Sequence, residues 1–348
     1  MRVLYRADGG AAIGTGHVLR GLRIAQALRA QGPAEFVFLS RPDPWAGQRI
    51  RQDGWPLEEL QGDEADALIA AARQFDPELV ALDRLETDAA LTRPLRALGR
   101  PVVTFDDVGE GRLFCRALVN ILEEEPDPGR LASAGVALHQ GPAYAVLPPE
   151  YEGAADRPRS VRTEVRSMLV TMGGGDPPGL SVKCARAAAS LIRRPPDCLA
   201  ADVTATVVAG AASPWLSELR QLAAEVAGRI VVKPSVPGLL DEFLRADLAL
   251  IAGGLTMHEA MATGTPAIAI CQEVRHQAEM AARFERQGTM VSLGKGESLG
   301  EAEIARAVSG LAADRARRRA ISRRGRELVD GRGTERVARL FLELCSAE

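Results

Sequence analysis

Cysteine is scarce in this chain, and its arrangement fits neither a disulfide framework nor a zinc site. The five cysteines stand at positions 115, 184, 198, 271 and 345, with no Cys-x-x-Cys pair among them. An odd, scattered set of this kind is typical of a reducing compartment. The four histidines, at 17, 139, 258 and 276, also lack the spacing of a zinc-binding helix. The sequence therefore predicts a protein with no metal site and no cofactor.

Long apolar runs and an excess of positive charge are also missing. No apolar run approaches the roughly 18 residues that cross a bilayer, and no apolar segment of the signal-peptide kind stands at the N-terminus. The net charge is −3, whereas a nucleic-acid-binding protein should carry a basic face. We expect a cytoplasmic monomer that has neither a nucleic-acid partner nor a stable insertion in a membrane.

Two common nucleotide-binding signatures are absent as well. The chain contains no Gly-x-x-x-x-Gly-Lys-Ser/Thr, which argues against a P-loop enzyme. Its first loop has Gly14 and Gly16 with the next glycine at 21, which does not fit Gly-x-Gly-x-x-Gly. The following strand ends at Leu39-Ser-Arg and offers no acidic residue to a ribose. These differences argue against an NAD-dependent dehydrogenase.

What the chain does contain is an alternation of short apolar runs and helical patterns, and this alternation occurs twice. Repeated βα units predict a parallel, doubly wound sheet in each half. A polar segment at 151–162 predicts the linker, so we expect domains at 1–155 and 156–348, with the last helix packing back on the first domain. The fold class is α/β, with two Rossmann-like domains facing a central cleft where ligands bind. The predicted strands are 3–5, 36–39, 79–82, 102–105 and, more weakly, 119–122, then 167–172, 203–209, 229–233, 248–252 and 267–271.

The first loop carries the candidate catalytic residue. A strand at 3–6 is followed by a Gly-rich turn and by a helix that begins near Gly16. Such a turn leaves backbone N–H groups unpaired and directs the positive end of the helix dipole at a ligand. His17 lies in the first turn, where that dipole disfavours imidazolium and predicts a neutral side chain that can act as a base. A loop histidine without a function is the alternative.

Two loops of the second half have the chemistry of a phosphate site. Gly174 and Gly175 follow one strand and allow a backbone to approach a phosphate or a sugar. Gly254, Leu255 and Thr256 follow another strand and begin a helix whose N–H groups can hold a pyrophosphate.

Glu259 lies one helical turn beyond Thr256 and can accept both hydroxyls of a ribose. The alternative is a capping box, in which Thr256 caps the helix and Glu259 bonds back to it. His258 points off that face and is expected at the surface. A third polar loop, with His276 and Gln277, follows the next strand.

Taken in order, these motifs resemble the GT-B fold of nucleotide-sugar enzymes, and within it the PseG family of UDP-2,4-diacetamido-2,4,6-trideoxy-β-L-altropyranose hydrolases and the SpsG-like proteins. The matching segments cover nearly the whole chain. They are Arg6-Ala-Asp8, Ile13-Gly-Thr-Gly-His17-Val-Leu-Arg20, Thr104-Phe-Asp106-Asp107, Gly141-Pro-Ala-Tyr144, Gly173-Gly-Gly-Asp176-Pro, Gly253-Gly-Leu-Thr-Met-His-Glu259, Gly264-Thr-Pro266, Gln277 and Val329-Asp330-Gly-Arg-Gly333.

The resemblance implies a metal-independent UDP-sugar hydrolase of pseudaminic acid or related biosynthesis, as in flagellin glycosylation. It implies that His17 activates water for attack on the anomeric carbon and that UDP leaves. The implied substrate contacts include Asp8, Arg20 and the loop at Val236, whose backbone would meet uracil, beside the glycines and the acidic residue named above. Asp83-Arg84-Leu85 and His276-Gln277 replace the Asp-x-Tyr and Asn-Gln of the PseG pattern, so the identity of the sugar stays open.

Two other functions fit the same features. The first is a glycosyltransferase of the same architecture, SpsG-like or MurG-like, in which an acceptor hydroxyl replaces water in surface polysaccharide synthesis. MurG-type enzymes need a membrane-facing apolar and basic patch, and no coherent amphipathic patch is visible here. The second is a protein that binds nucleotide sugars without catalysis, and an intact His17 argues against it.

Overall fold

The computed structural model describes residues 1–10, 14–122, 124–210, 213–234, 236–273 and 276–346. It divides into two compact units, one comprising Met1–Pro149 with Arg332–Glu348 and the other Glu150–Gly331. The last helix therefore belongs to the first unit. Within the described residues, each unit contains one all-parallel sheet.

The first sheet has seven strands in the order β3-β2-β1-β4-β5-β6-β7. Its central strands are short continuous apolar runs, which suit strands that are buried on both faces. In β1 the residues from Val3 to Ala7 are all buried. The strands are β1 (Arg2–Ala7), β2 (Glu35–Ser40), β3 (Leu57–Glu59), β4 (Leu79–Asp83), β5 (Val102–Phe105), β6 (Ala117–Asn120) and β7 (Ala137–Gln140).

Helices connect these strands and cover the sheet. In the first of them, Val18, Leu22, Ala25 and Leu28 recur at helical spacing and are buried. The helices are α1 (Gly16–Gln31), α2 (Pro44–Gln52), α3 (Glu64–Phe75), α4 (Ala89–Ala97), α5 (Pro128–Ser133) and, at the end of the chain, α13 (Gly333–Ser346), with 3-10 turns at Glu110–Phe114 and Pro142–Tyr144.

The second sheet has six strands in the order β10-β9-β8-β11-β12-β13. These are β8 (Val165–Thr171), β9 (Leu199–Val208), β10 (Ile230–Lys233), β11 (Leu248–Ile251), β12 (Ala267–Cys271) and β13 (Val291–Lys295). The helices are α6 (Leu180–Arg193), α7 (Leu216–Ala224), α8 (Leu240–Arg245), α9 (Leu255–Thr263), α10 (Gln277–Arg286), α11 (Glu301–Ala313) and α12 (Arg315–Leu328), with 3-10 turns at Pro149–Tyr151 and Ala154–Asp156.

The strand order of each sheet reverses at one point. In the first sheet this point lies between β1 and β4, and in the second it lies between β8 and β11. The loops that leave two such strands diverge to opposite faces and open a crevice at their carboxyl ends, where doubly wound folds bind ligands. The candidate loops of the sequence therefore stand at equivalent places in the two units.

Some expectations about the elements were wrong in detail. The run predicted at 119–122 forms its strand two residues earlier, as β6, because Ile121 and Leu122 turn away to donate their backbone N–H groups to Asp106. The strands β3, β7 and β13 were not predicted, since all three are edge strands in which no residue is fully buried, so they lack a continuous apolar run. Among the described residues, no helix combines the length and the apolar character needed to cross a bilayer.

His258 was expected at the surface, and the structure contradicts this. The side chain is fully buried, and its ring meets Phe284 edge-on at 5.3 Å between centroids. The outer face of α9 is covered by α12, and the backbone of Met261 lies 3.0 Å from where a Cβ on Gly325 would stand. A position that would be solvent-exposed on an isolated amphipathic helix therefore becomes part of the core.

Candidate functional site

The loop after β1 brings His17 to the carboxyl edge of the first sheet. Gly14 has φ of +83°, a left-handed conformation that favours glycine, and it exchanges two backbone hydrogen bonds with Gly10, of 2.9 and 3.0 Å. Gly14 and Gly16 have open space where a side chain would stand. Ile13 of the quoted motif lies outside the described residues. The helix α1 begins at Gly16 as the sequence predicts, with no side-chain cap from Thr15.

His17 is held by a buried carboxylate. Its Nδ1 lies 2.7 Å from Oδ1 of Asp83, the last residue of β4. The His17 side chain is 19% exposed, whereas that of Asp83 is 0% exposed. A carboxylate at Nδ1 selects the tautomer with hydrogen on that nitrogen, which leaves Nε2 as the acceptor. Asp83 was not predicted as a partner of His17, since the helix dipole alone led to the prediction of a neutral base.

Asp83 is itself enclosed by donors. The Tyr5 hydroxyl donates to its Oδ2 at 2.7 Å, and the guanidinium of Arg20 donates to both of its oxygens, at 2.7 and 2.8 Å. Burial alone would raise the pKa of Asp83, but the charges and hydrogen bonds of Arg20 and His17 lower that pKa to about 2. Asp83 is therefore ionised throughout the physiological pH range.

Arg20 was predicted to contact substrate, whereas the structure shows its side chain buried against Asp83, the carboxylate that holds His17. Its side chain is 6% exposed, and beyond Asp83 it donates to Asp106 at 2.5 Å. Asp106 follows β5 and has φ of +50°. Arg20 therefore links the ends of two neighbouring strands, a structural role that the sequence reasoning did not foresee.

Asp8 lies at the same edge, in an ion pair with a fully buried arginine. Arg6 donates to its two oxygens at 2.5 and 2.6 Å, and the backbone N–H of Arg41 donates at 2.8 Å. Burial would raise the pKa of Asp8, but the hydrogen bonds and charge of Arg6 lower it below the ordinary value. The Asp8 side chain is 22% exposed, so its carboxylate retains some access to solvent.

In the second unit, the loop after β8 contains Gly174 and Gly175. The loop is fixed from below by Gly210, where a Cβ would stand 2.2 Å from the Gly174 carbonyl oxygen. It is fixed at its far end by Asp176, whose carboxylate accepts from the backbone N–H groups of Leu180 and Ser181 at 2.8 Å each. The first turn of α6 thus has an acidic side chain on its N–H groups, which disfavours an anion there.

The loop after β11 has the opposite character. Gly254 is the N-cap of α9, with φ of +94° and no side-chain cap, and Leu255 and Thr256 are the first two helical residues. Gly253, Gly254 and Leu255 are half-buried, and space is open beside Gly254. The capping-box alternative is wrong, since a capping Thr256 would have to precede the helix. An uncapped first turn of this kind suits an anion.

The third loop packs on Gly253. The Gln277 side chain occupies the space that a Cβ on Gly253 would need, at 2.6 Å, and its Oε1 accepts from the backbone of Gln272 at 3.1 Å. Gln272 in turn donates to the carbonyl oxygen of Met172 at 3.3 Å. The structure thus brings together the loops after β8, β11 and β12, as the sequence predicts for the carboxyl ends of parallel strands.

Three further candidates lie in the second unit. Glu259 is buried on α9, three residues beyond Thr256. His276 is the half-buried residue that precedes α10, and Val236 is half-buried in the loop after β10. Within the described ranges, no group of three or more His, Cys, Asp or Glu side chains is arranged to hold a metal ion.

No protein-family model matches the chain. The chain is 28% identical, over an alignment of 368 residues that covers 100% of both proteins, to the spore coat polysaccharide biosynthesis protein SpsG of Bacillus subtilis. The SpsG-like part of the resemblance is therefore supported, and the narrower PseG assignment stays a prediction.

Solved structures resemble the chain over nearly its whole length. MurG of Acinetobacter baumannii gives a TM-score of 0.70 at 14% identity, covering 98% of this chain and 99% of that one. The glycosyltransferase VinC in complex with dTDP gives 0.61 at 17%, covering 100% of both. MnaA of S. aureus with UDP gives 0.62 at 13%, covering 99% and 97%. At these identities the likeness concerns the fold, and the predicted GT-B fold is confirmed.

Proposed function

We propose that this chain is a glycosyltransferase-like enzyme of polysaccharide biosynthesis that uses a UDP-sugar. The observation that carries the proposal is the His17–Asp83 pair at the reversal point of the first sheet, with an uncapped helix N-terminus at the equivalent point of the second. A general base and a site for a leaving diphosphate are the two parts that glycosyl transfer from a nucleotide sugar requires.

The second unit holds the UDP in this proposal. The pyrophosphate lies at the N-terminus of α9, where the N–H groups of Leu255 and Thr256 and the helix dipole stabilise its charge. Gly174 and Gly175 allow their backbone to approach the ligand, and Gln277 lies on the same edge. Glu259 accepts the ribose hydroxyls, and the backbone at Val236 meets the uracil.

The first unit supplies the base. Nδ1 of His17 is occupied by Asp83, so Nε2 takes the proton from the attacking hydroxyl. The oxygen of that hydroxyl forms a bond to the anomeric carbon while the bond from this carbon to the UDP oxygen breaks. UDP leaves as an anion and therefore requires charge stabilisation more than an acid. General-base catalysis of this kind contributes roughly 10² to 10⁴-fold.

The acceptor separates this proposal from the hydrolase that the sequence motifs imply. The relative SpsG is a polysaccharide biosynthesis protein and VinC is a glycosyltransferase, so the similarities favour a sugar hydroxyl as acceptor. The order of motifs from Gly14 to Gln277 favours water, as in the PseG family. The same Nε2 would serve either acceptor.

A panel of UDP-sugars, with free UDP measured in the presence and absence of sugar acceptors, tests the proposal. A transferase releases UDP in proportion to acceptor and forms a glycosylated product. A hydrolase releases UDP and free sugar without acceptor. Failure to release UDP from any diacetamido-trideoxy or N-acetylhexosamine donor, by a protein that binds UDP, would contradict the enzymatic role and favour a binding protein.

A further inference from the structure

The buried guanidinium of Arg20 is the least expected group in the first unit. A substrate-binding arginine presents donors to the ligand, yet all three nitrogens of Arg20 are directed at neighbouring protein groups. Nε and Nη2 donate to the two oxygens of Asp83, and Nη1 donates to Asp106. The plane of the group is also fixed by Phe105, whose ring centroid lies 5.0 Å from the guanidinium carbon.

Asp106 ties this arginine to the backbone of the sheet. Its Oδ2 accepts from Arg20, while its Oδ1 accepts from the backbone N–H groups of Ile121 and Leu122 at 2.7 and 2.8 Å. Asp106 also adopts a left-handed conformation, with φ of +50°, which aspartate and asparagine tolerate better than other residues apart from glycine. The position of the guanidinium is therefore set by β5 and by the chain that follows β6.

Arg20 and His17 share one oxygen of Asp83. Nη2 of Arg20 donates to the same Asp83 oxygen that faces Nδ1, and it lies 3.4 Å from that nitrogen. Nη2 can only donate, so its contact would use Nδ1 as an acceptor. The carboxylate of Asp83 can only accept, and its shorter contact of 2.7 Å outweighs that of Nη2 and requires hydrogen on Nδ1. With Oδ1 shared in this way, Asp83 stays anionic and directed at the ring, and hydrogen on Nδ1 is the arrangement that satisfies both groups.

We propose that Arg20 is a positioning residue that fixes the tautomer and orientation of His17 through Asp83. Asp106 holds the guanidinium of Arg20 in place, and the Tyr5 hydroxyl holds the carboxylate of Asp83. The proposal rests on His17 being the base of the proposed function. It replaces the expectation that Arg20 binds substrate. The planar shape of the Arg20 guanidinium matters as much as its charge. Its two parallel N–H donors orient a carboxylate, whereas the ammonium group of a lysine does not.

The test is Arg20→Lys, which retains the charge and loses the fork. We expect the ¹⁵N chemical shifts of His17 to change from the pattern of hydrogen on Nδ1 to a mixture of tautomers. We expect kcat to fall roughly 10- to 100-fold, while UDP affinity stays within a few-fold because the UDP-binding residues belong to the other unit. Tyr5→Phe removes one donor from Asp83 without changing the charge, and a smaller change in the same direction is expected.

Arg112→Lys is the matched control. Arg112 is also a buried arginine of the first unit in a two-bond pair with a carboxylate, Glu125, at 3.1 Å for each bond. The Arg112→Lys substitution should leave the ¹⁵N chemical shifts of His17 unchanged. An unaltered His17 tautomer in folded Arg20→Lys and Tyr5→Phe proteins would overturn the proposal. Since the spectrum is read without substrate, this outcome is distinct from failure of the enzymatic proposal, which the UDP-release assay detects.

Discussion

Replacing Asp83 by Asn should separate the chemistry of the pair from its shape. The amide has the size of the carboxylate, but it lacks the charge and exchanges one acceptor for a donor. Both Asp83 oxygens accept from Arg20, so an amide nitrogen in either orientation faces an arginine donor. When the nitrogen lies at the Oδ1 position, it also faces Nδ1 of His17 and favours hydrogen on Nε2, the atom that must accept the proton.

The magnitude of the stability change follows from the pKa of Asp83. The value falls from the ordinary 3.8 to about 2 in the folded protein, so the ionised form is favoured there by about 2 kcal/mol more than in the unfolded chain. Asn approximates the neutral acid, and we expect the free energy of unfolding at neutral pH to fall by about 2 kcal/mol. In a Ser-His-Asp triad the same change lowers turnover about 10⁴-fold, and we expect a kcat loss of roughly 10² to 10⁴-fold here.

The assay combines UDP release with chemical denaturation, and Asp107→Asn is its matched control. Asp107 is a buried carboxylate of the same unit that is hydrogen-bonded to Thr87 and Thr104. Burial raises the pKa of Asp107, so a neutral amide should cost less stability there. A folded Asp83→Asn protein that turns over within threefold of the natural chain would contradict a role of Asp83 in orienting His17. An equal loss of turnover in Asp107→Asn would contradict it as well.

Three further predictions concern the proposed UDP site and the carboxylate of Asp83. Glu259→Ala should weaken UDP binding in calorimetry by roughly 10- to 100-fold, the effect of one charge-assisted hydrogen bond, and Glu259→Gln by less; unchanged affinity would remove the ribose assignment. Gly254→Ala should lower UDP affinity because φ of +94° strains an alanine, whereas Gly310→Ala in α11, where a Cβ meets open space, should not. Asp83 has a lowered pKa, so its stabilisation is complete above 3.8 and is lost as pH falls through about 2; acid unfolding curves of the natural chain should show this loss of about 2 kcal/mol, and those of Asp83→Asn should not.

The buried strands could be predicted from the sequence because a parallel strand covered on both faces must be a continuous apolar run. The run at 79–82 is such a case and lies within β4. Edge strands lack that constraint, so β3 with its sequence Leu-Glu-Glu carried no signal. The glycine loops could be located because each directly follows a predicted strand. The burial of His258 could not be predicted because Phe284 of α10 packs against its ring and α12 packs against α9, and both helices lie farther along the chain.

The partners of His17 could not be predicted from the pattern around it. Asp83 is 66 residues away and Asp106 lies 86 residues from Arg20, so only the parallel order of β1, β4 and β5 brings them together. A usable signal was present, since Asp83 and Asp106 stand at the ends of predicted apolar strands. Once the strand order is known, acidic residues at those positions are candidates for a site at the carboxyl ends of the strands. Arg20 was assigned to substrate because a sequence shows charge and does not show burial.

The role of His17 as the general base of a UDP-sugar enzyme is tested by His17→Asn. This change retains size and polarity but removes the nitrogen that accepts the proton. We expect kcat for UDP release to fall roughly 10² to 10⁴-fold while the Kd for UDP, measured by calorimetry on the same preparation, stays within a few-fold. Turnover close to that of the natural chain in a folded His17→Asn protein would contradict that role.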